Sequence, residues 1–238
     1  MNIISQGYIS KQLTHFAGRH CANLEAQYKL FLSILKSGRL SNSEENAKKP
    51  EGISEIEINY NAKISQDKMY IPQMVCFCDI PFKELKFHIK KYSRFGIAFY
   101  KDFIVRKGGT PVYYLPLRAQ ASYSNNIKKG ELFDKELESL NCFLSETANK
   151  KQELKDGIKH IQENFLAYHI FSYVKFFDHE LPDGDSENYY FEREWRLLGN
   201  LDFNIGDIAT ILIPKNYKKR LEIDFPEYNG KVEILPNK

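Results

Sequence analysis

Long apolar runs are missing from this chain of 238 residues. None approaches the ~20 consecutive apolar residues that a bilayer-spanning helix requires, so no membrane-embedded function is expected. A secretory leader is missing too: MNIISQGYISKQ has no basic region followed by an apolar one, and a cytosolic location is the default expectation. Charge of one sign is not in excess, with 34 Lys and Arg against 31 Asp and Glu and a formal net charge of +3. That balance neither requires nor excludes a basic nucleic-acid surface, but no aromatic stacking motif accompanies it. Tryptophan occurs once, whereas there are 15 Tyr and 17 Phe. Tyrosine is an amphipathic ring that suits clefts as well as cores, so the aromatic mass points toward a ligand groove.

Cysteine is sparse. Four residues (Cys21, Cys76, Cys78 and Cys142) are spread through the chain, and Cys76-Phe77-Cys78 has no second CxxC or His pair to complete a tetrahedral metal site. Reduced, structural thiols and no metal are expected. GxGxxG and the Walker A pattern are absent, as is strict βαβ alternation, which excludes an ordinary dinucleotide-binding or nucleotide-triphosphate domain.

What is present reads as one α+β domain over 1–238 with a mixed, mainly antiparallel sheet. Ala22 to Lys36 places Leu24, Tyr28, Phe31, Ile34 and Leu35 at helical spacing, with Gly38 as a C-terminal stop. Residues 40–72 turn polar and read as a flexible loop or flap carrying one short alternating run. MVCFCDI (74–80) is a buried strand, and Pro81 opens a short helix to Tyr92. IAFYKDFIV and TPVYYLPL are further strands around a Lys107-Gly108-Gly109 turn. Residues 130–177 form a helical insertion with Ile158, Ile161, Phe165, His169 and Tyr173 on one stripe; YFEREWRLL, DIATILIP and KVEIL close the chain as strands.

The segment Tyr189 to Gly199, YYFEREWRLLG, holds four charges in five positions. With a period of two, Glu192, Glu194 and Arg196 share one face, the two carboxylates about 6–7 Å apart. Arg193 is sent to the apolar side and needs a carboxylate, for which Asp79 is the expected partner. On local pattern alone this is a solvent-facing strand with weak surface ion pairs. If the face lines a cleft, two neighbouring carboxylates suit paired acid–base roles.

Thr14-His15-Phe16, VCFCDIP (75–81), HIKKYSRFGIAFYKDF (88–103), GGTPVYY (108–114) and EREWRLLG (192–199) occur in that order. The succession resembles the AbiGi family of abortive-infection phage-resistance proteins, described as an antitoxin with a toxin-like partner. More distantly it is similar to the ADP-ribosyltransferase-like fold of bacterial toxins and defence proteins. The second resemblance implies NAD as substrate, with His15 holding its ribose, Tyr92 stacking on nicotinamide and Arg19 or Lys101 meeting the pyrophosphate. Glu192 or Glu194 would complete the site beside an oxocarbenium-like transition state, with no metal. Two readings stay open at this point. One is an enzyme that cleaves NAD and transfers ADP-ribose to a protein or nucleic-acid acceptor; the other is a non-catalytic antitoxin or sensor that restrains a partner toxin.

Overall fold

The computed structural model describes residues 10–235 apart from 122–123, 152–153, 183–184 and 186–187. The chain divides into two compact units. The first runs up to Ser54 and adds Gln73–Pro111 and the chain from Glu192; the second comprises Glu55–Pro72 and Val112–Phe191.

The first unit is built on seven strands: β1 (Gln12–Phe16), β2 (Met74–Cys78), β3 (Gly96–Tyr100), β4 (Thr110–Pro111), β5 (Glu194–Leu198), β6 (Ile208–Pro214) and β7 (Lys231–Leu235). Their order across the sheet is β7-β6-β3-β1-β2-β5-β4. Neighbours are antiparallel except β6 and β7, so the architecture is α+β with a mainly antiparallel sheet.

One face of this sheet packs on helix α1 (Leu24–Ser37). Tyr28, Phe31 and Leu35 recur at helical spacing and join Leu13, Phe77, Ile97, Phe99, Leu197 and Ile211 in a single buried cluster. Asn23 caps the helix, its Oδ1 accepting from the Ala26 N–H at 2.9 Å. Gly38 ends it at φ +64°, donating its N–H to the Ile34 carbonyl. The other face is covered by Leu85, by helix α2 (Lys86–Lys91) with Ile89, and by Phe82; these pack with Phe16, Cys78, Ala98 and Leu212. Pro81 precedes a 3-10 turn at Phe82–Glu84 before α2 begins.

The structure corrects three strand expectations. The strand from Ile97 stops at Tyr100, and Lys101–Arg106 is helix α3. Tyr100 is the last β3 residue opposite a β1 partner, Gln12, so the backbone beyond it satisfies itself helically; Arg106 pairs with Asp102 at 2.8 Å. TPVYYLPL is split at Val112: Thr110–Pro111 edges the first unit's sheet, and Tyr113–Pro116 pairs in parallel with Val174–Phe177 in the second unit. YFEREWRLL is not one strand. Tyr189–Glu192 is a 3-10 turn, Arg193 takes φ +44°, and only Glu194–Leu198 is extended.

The second unit contains the long helix α4 (Lys129–Lys150), and a helical run from Lys155 to His169 that passes through π-turns at His160–Leu166. A small pair joins Ile56–Ile58 to Tyr70–Pro72. Its core is Ile64, Met69, Tyr70, Leu137, Ala167, Phe171, Val174 and Phe176. The stripe Ile158–Ile161–Phe165–His169 does not face this core as a unit. Ile158 is buried, whereas Ile161, Phe165 and His169 are exposed, and Ala167 and Phe171 serve the core instead. A π-turn takes more residues than an α-turn, so it shifts the phase of any 3.6-residue stripe.

Candidate functional site

The α2 face of the first unit's sheet carries a buried polar cluster. Sheet register places Thr14 opposite Cys78 and Cys78 opposite Glu194, so these three side chains share that face. Arg196, two residues on, joins it opposite Cys76. Glu194 and Arg196 are both under 8 % exposed and pair with each other, the Arg196 Nε donating to the Glu194 Oε1 at 2.9 Å.

Glu192 lies in the turn just before β5 and is 4 % exposed. Its Oε1 accepts from the Lys91 Nζ at 2.8 Å and from the Tyr92 hydroxyl. Lys91 and Tyr92 end α2, where the Tyr92 N–H donates to the His88 carbonyl. His88, Lys91 and Tyr92, at i, i+3 and i+4, therefore present one face to Glu192. The His88 ring is 6.0 Å from that of Tyr92 and stacks at 6.3 Å on Phe16. The Arg19 guanidinium lies 5.1 Å from the centre of the Tyr92 ring.

Burial shifts the titrating groups here. The Tyr92 phenol is pushed well up, first by burial and then by the Glu192 charge, to which Glu194 adds. Burial lowers His88, partly opposed by the negative charge of Glu192. Burial raises the Cys78 thiol and so keeps it protonated, consistent with a structural role. All four cysteines are free; Cys78 is buried, Cys21 and Cys76 are half-buried and Cys142 is exposed. Among the described residues, no group of three or more His, Cys, Asp or Glu side chains is placed to hold a metal ion.

Of the residues singled out from the sequence, Tyr92, Glu192 and Arg19 come together, with Glu194 close enough to act on the Tyr92 phenol. His15 does not join them. It follows Thr14 on β1 and points to the α1 side, its ring 6.0 Å from Phe77 and its Nδ1 2.9 Å from the Cys76 carbonyl. Burial lowers its pKa, opposed by that hydrogen bond. Lys101 is elsewhere too: its Nζ is 2.6 Å from Asp79 and 5.7 Å from the Trp195 ring.

Arg193 reaches Asp79 at 3.6 Å, the expected partner, but a left-handed backbone and not the pleat takes it there. The same turn lets the Arg193 carbonyl accept from the Asp79 N–H at 3.1 Å. Lys91 and His88 are not among the site residues expected from the sequence. The signal was available in the helical spacing of His88, Lys91 and Tyr92 and in the need of a buried Glu192 for a cation.

No solved structure matches this chain. A family model described as "Putative abortive phage resistance protein AbiGi, antitoxin" matches residues 46–233. A curated relative, the abortive phage resistance protein AbiGi of Lactococcus lactis subsp. cremoris, is 28% identical over 79% of this chain and 88% of its own length. The family match spans both compact units and includes α2, β5 and the helices of the second unit. The chain belongs to the AbiGi family of abortive phage resistance proteins.

Proposed function

We propose that this chain serves phage defence as a binding module, an antitoxin or sensor that restrains a partner toxin, with the helices of its second unit as the contact surface. The observation that carries this reading is the apolar character of those helices. Leu140 and Phe143 on α4, then Leu154, Ile161, Phe165 and Ile170, are all exposed, with Phe143 at 65% and Phe165 at 51%. Six of the eighteen exposed large apolar side chains among the described residues thus fall between positions 140 and 170. Leu140 with Phe143, and Ile161 with Phe165, stand one helical turn apart and so form local pairs on their helices. Concentrated exposed apolar surface marks protein contacts, and the family's description as an antitoxin names the kind of partner.

The internal pairing of the first unit's cluster agrees with this reading. Glu194 is neutralised by Arg196, and Glu192 by Lys91, so the charges stabilise one another in the fold. The test is rescue in cells: co-expressed with a toxin that arrests growth on its own, the wild-type chain restores growth and the Phe143→Glu/Phe165→Glu variant does not. Equal rescue by both, at equal protein level, overturns the reading.

A second reading is NAD cleavage at Tyr92, Glu192 and Glu194, and one observation favours it: Tyr92 and Glu192 share a hydrogen bond beside Glu194. The side chains do not fit it as they stand. His15 faces the other side of the sheet, and the Glu192 Oε1 is already taken by Lys91 and Tyr92. Nicotinamide release by the wild-type chain that is abolished in Glu192→Gln or Glu194→Gln would establish it; no release from the wild type sinks it.

A further inference from the structure

The whole-chain charge of +3 conceals a division between the two compact units. The first unit carries 23 Lys and Arg against 15 Asp and Glu, and the second 11 against 16, so the positive excess belongs entirely to the first. Its densest stretch is residues 83–94, KELKFHIKKYSR, with five Lys and Arg against one acid, Glu84. Folding sorts this stretch by face. Leu85 and Ile89 pack on the sheet, and Lys91 and Tyr92 turn to Glu192. That leaves Lys83, in the turn before α2, and Lys86, Phe87 and Lys90, on the helix, exposed to solvent. Helical spacing sets them on one outward stripe. None of the three lysines has an ion-pair or hydrogen-bond partner among the described residues. Arg19, also exposed, adds a cation over the Tyr92 ring at the C-terminal end of α2. Phe87, set among the lysines, is 50% exposed.

We infer that this face of α2 is a docking surface for single-stranded nucleic acid, with the three lysines and Arg19 meeting phosphates and a base stacking on Phe87. Unpaired cations about 6 Å apart along a helix, as Lys86 and Lys90 are, follow a phosphate backbone without first giving up an internal partner. An exposed ring among them is the stacking platform that single-strand binders use. A base held inside a duplex has no free face to offer that ring. An anionic membrane fits less well: α2 has six residues, Ile89 is spent on the core, and Phe87 is its one exposed large apolar side chain. An acidic protein segment would use the lysines and leave the ring unused.

The test is fluorescence anisotropy of labelled oligodeoxythymidine and oligouridine, each about 20 nucleotides long, titrated with the full chain, which also distinguishes DNA from RNA. The expected result is saturable binding of one or both, with affinity falling with salt at a log–log slope of about −3, four cations at about −0.7 each. Lys83→Gln/Lys86→Gln/Lys90→Gln is expected to lose at least tenfold in affinity and to keep a slope of only about −0.7. Phe87→Ala is expected to lose roughly fivefold or more with the slope unchanged, as removal of a stacking ring does. Lys215→Gln/Lys218→Gln/Lys219→Gln removes the same charge from other exposed lysines of the first unit and is expected to bind as the wild type does. Each substituted side chain is exposed, so the fold is retained. No saturable binding, equal losses in the two lysine variants, no loss in Phe87→Ala, or equal binding of a duplex each overturns the proposal. So does equal binding of polyglutamate or of phosphatidylserine vesicles, or self-assembly of the chain that the Lys83/Lys86/Lys90 variant alone abolishes, which would make a second copy the occupant.

Discussion

Lys91→Met is the sharpest perturbation of the buried cluster. The wild-type pair is 2.8 Å apart with side chains 12% and 5% exposed, so the substitution strands the Glu192 carboxylate away from solvent. Removing one partner of a buried ion pair costs about 3–5 kcal/mol, because the remaining charge is uncompensated. The Tyr92 hydroxyl still donates to Glu192, which argues for the lower half of that range. Glu192→Gln removes the charge itself, and adding it to Lys91→Met relieves the stranded carboxylate. The double variant should therefore be more stable than the sum of the singles by at least about 2 kcal/mol. Because the chain has two compact units, a whole-molecule transition would blur the result. Trp195 avoids this: it is the only tryptophan and lies on β5 in the first unit, so its fluorescence reports that unit's unfolding. With a urea slope of about 2 kcal/mol per M, Lys91→Met should move the Trp195 midpoint down by about 1.5–2 M. A shift below about 0.5 M, with additive singles, would refute the claim that this pair is buried and coupled.

Two other outcomes follow from the same geometry. His15 and His88 are both lowered by burial, so just below pH 6.5 the unfolded chain holds protons that the fold excludes. Their contribution is complete above about pH 6.5 and is lost as pH falls below it, at up to about 1.4 kcal/mol per pH unit for each ring. Trp195 unfolding midpoints between pH 7.5 and 5.5 check this, and His88→Phe should flatten the slope. Gly38→Ala should lower stability by more than the left-handed backbone alone costs, about 1–2 kcal/mol, in the same assay. Its φ is +64°, and a Cβ there would lie 2.6 Å from the Phe203 carbonyl oxygen.

Much of the first unit was legible in local pattern. Helix α1 announced itself through Tyr28, Phe31 and Leu35 and the Gly38 stop, and β6 and β7 through their apolar runs. The turn into α3 was hidden because Ile97–Val105 alternates like a strand, and only the end of β1 pairing at Tyr100 decides otherwise. The pleat through Glu192–Arg193 failed for a similar reason: a left-handed Arg193 carries no sequence mark as a glycine would. Glu192 and Tyr92 were named from the sequence, yet the cation that holds Glu192 was not, since Lys91 looks like any helix-end lysine. The face on which His15 stands depends on the β3-β1-β2 order, a non-local property. The exposure of Ile161 and Phe165 depends on π-turns that the apolar pattern does not signal.

The proposed partner binding through the second unit's helices is tested most directly by affinity. The full chain would be titrated against the purified toxin whose growth arrest it relieves in the rescue test, comparing wild type, Phe143→Glu/Phe165→Glu and Glu192→Gln/Glu194→Gln. Loss of two aromatic anchors at about 2 kcal/mol each predicts a drop of roughly a thousandfold for the phenylalanine variant, with its Trp195 transition unchanged. Undiminished affinity in that variant, or a loss confined to the glutamate variant, would contradict it.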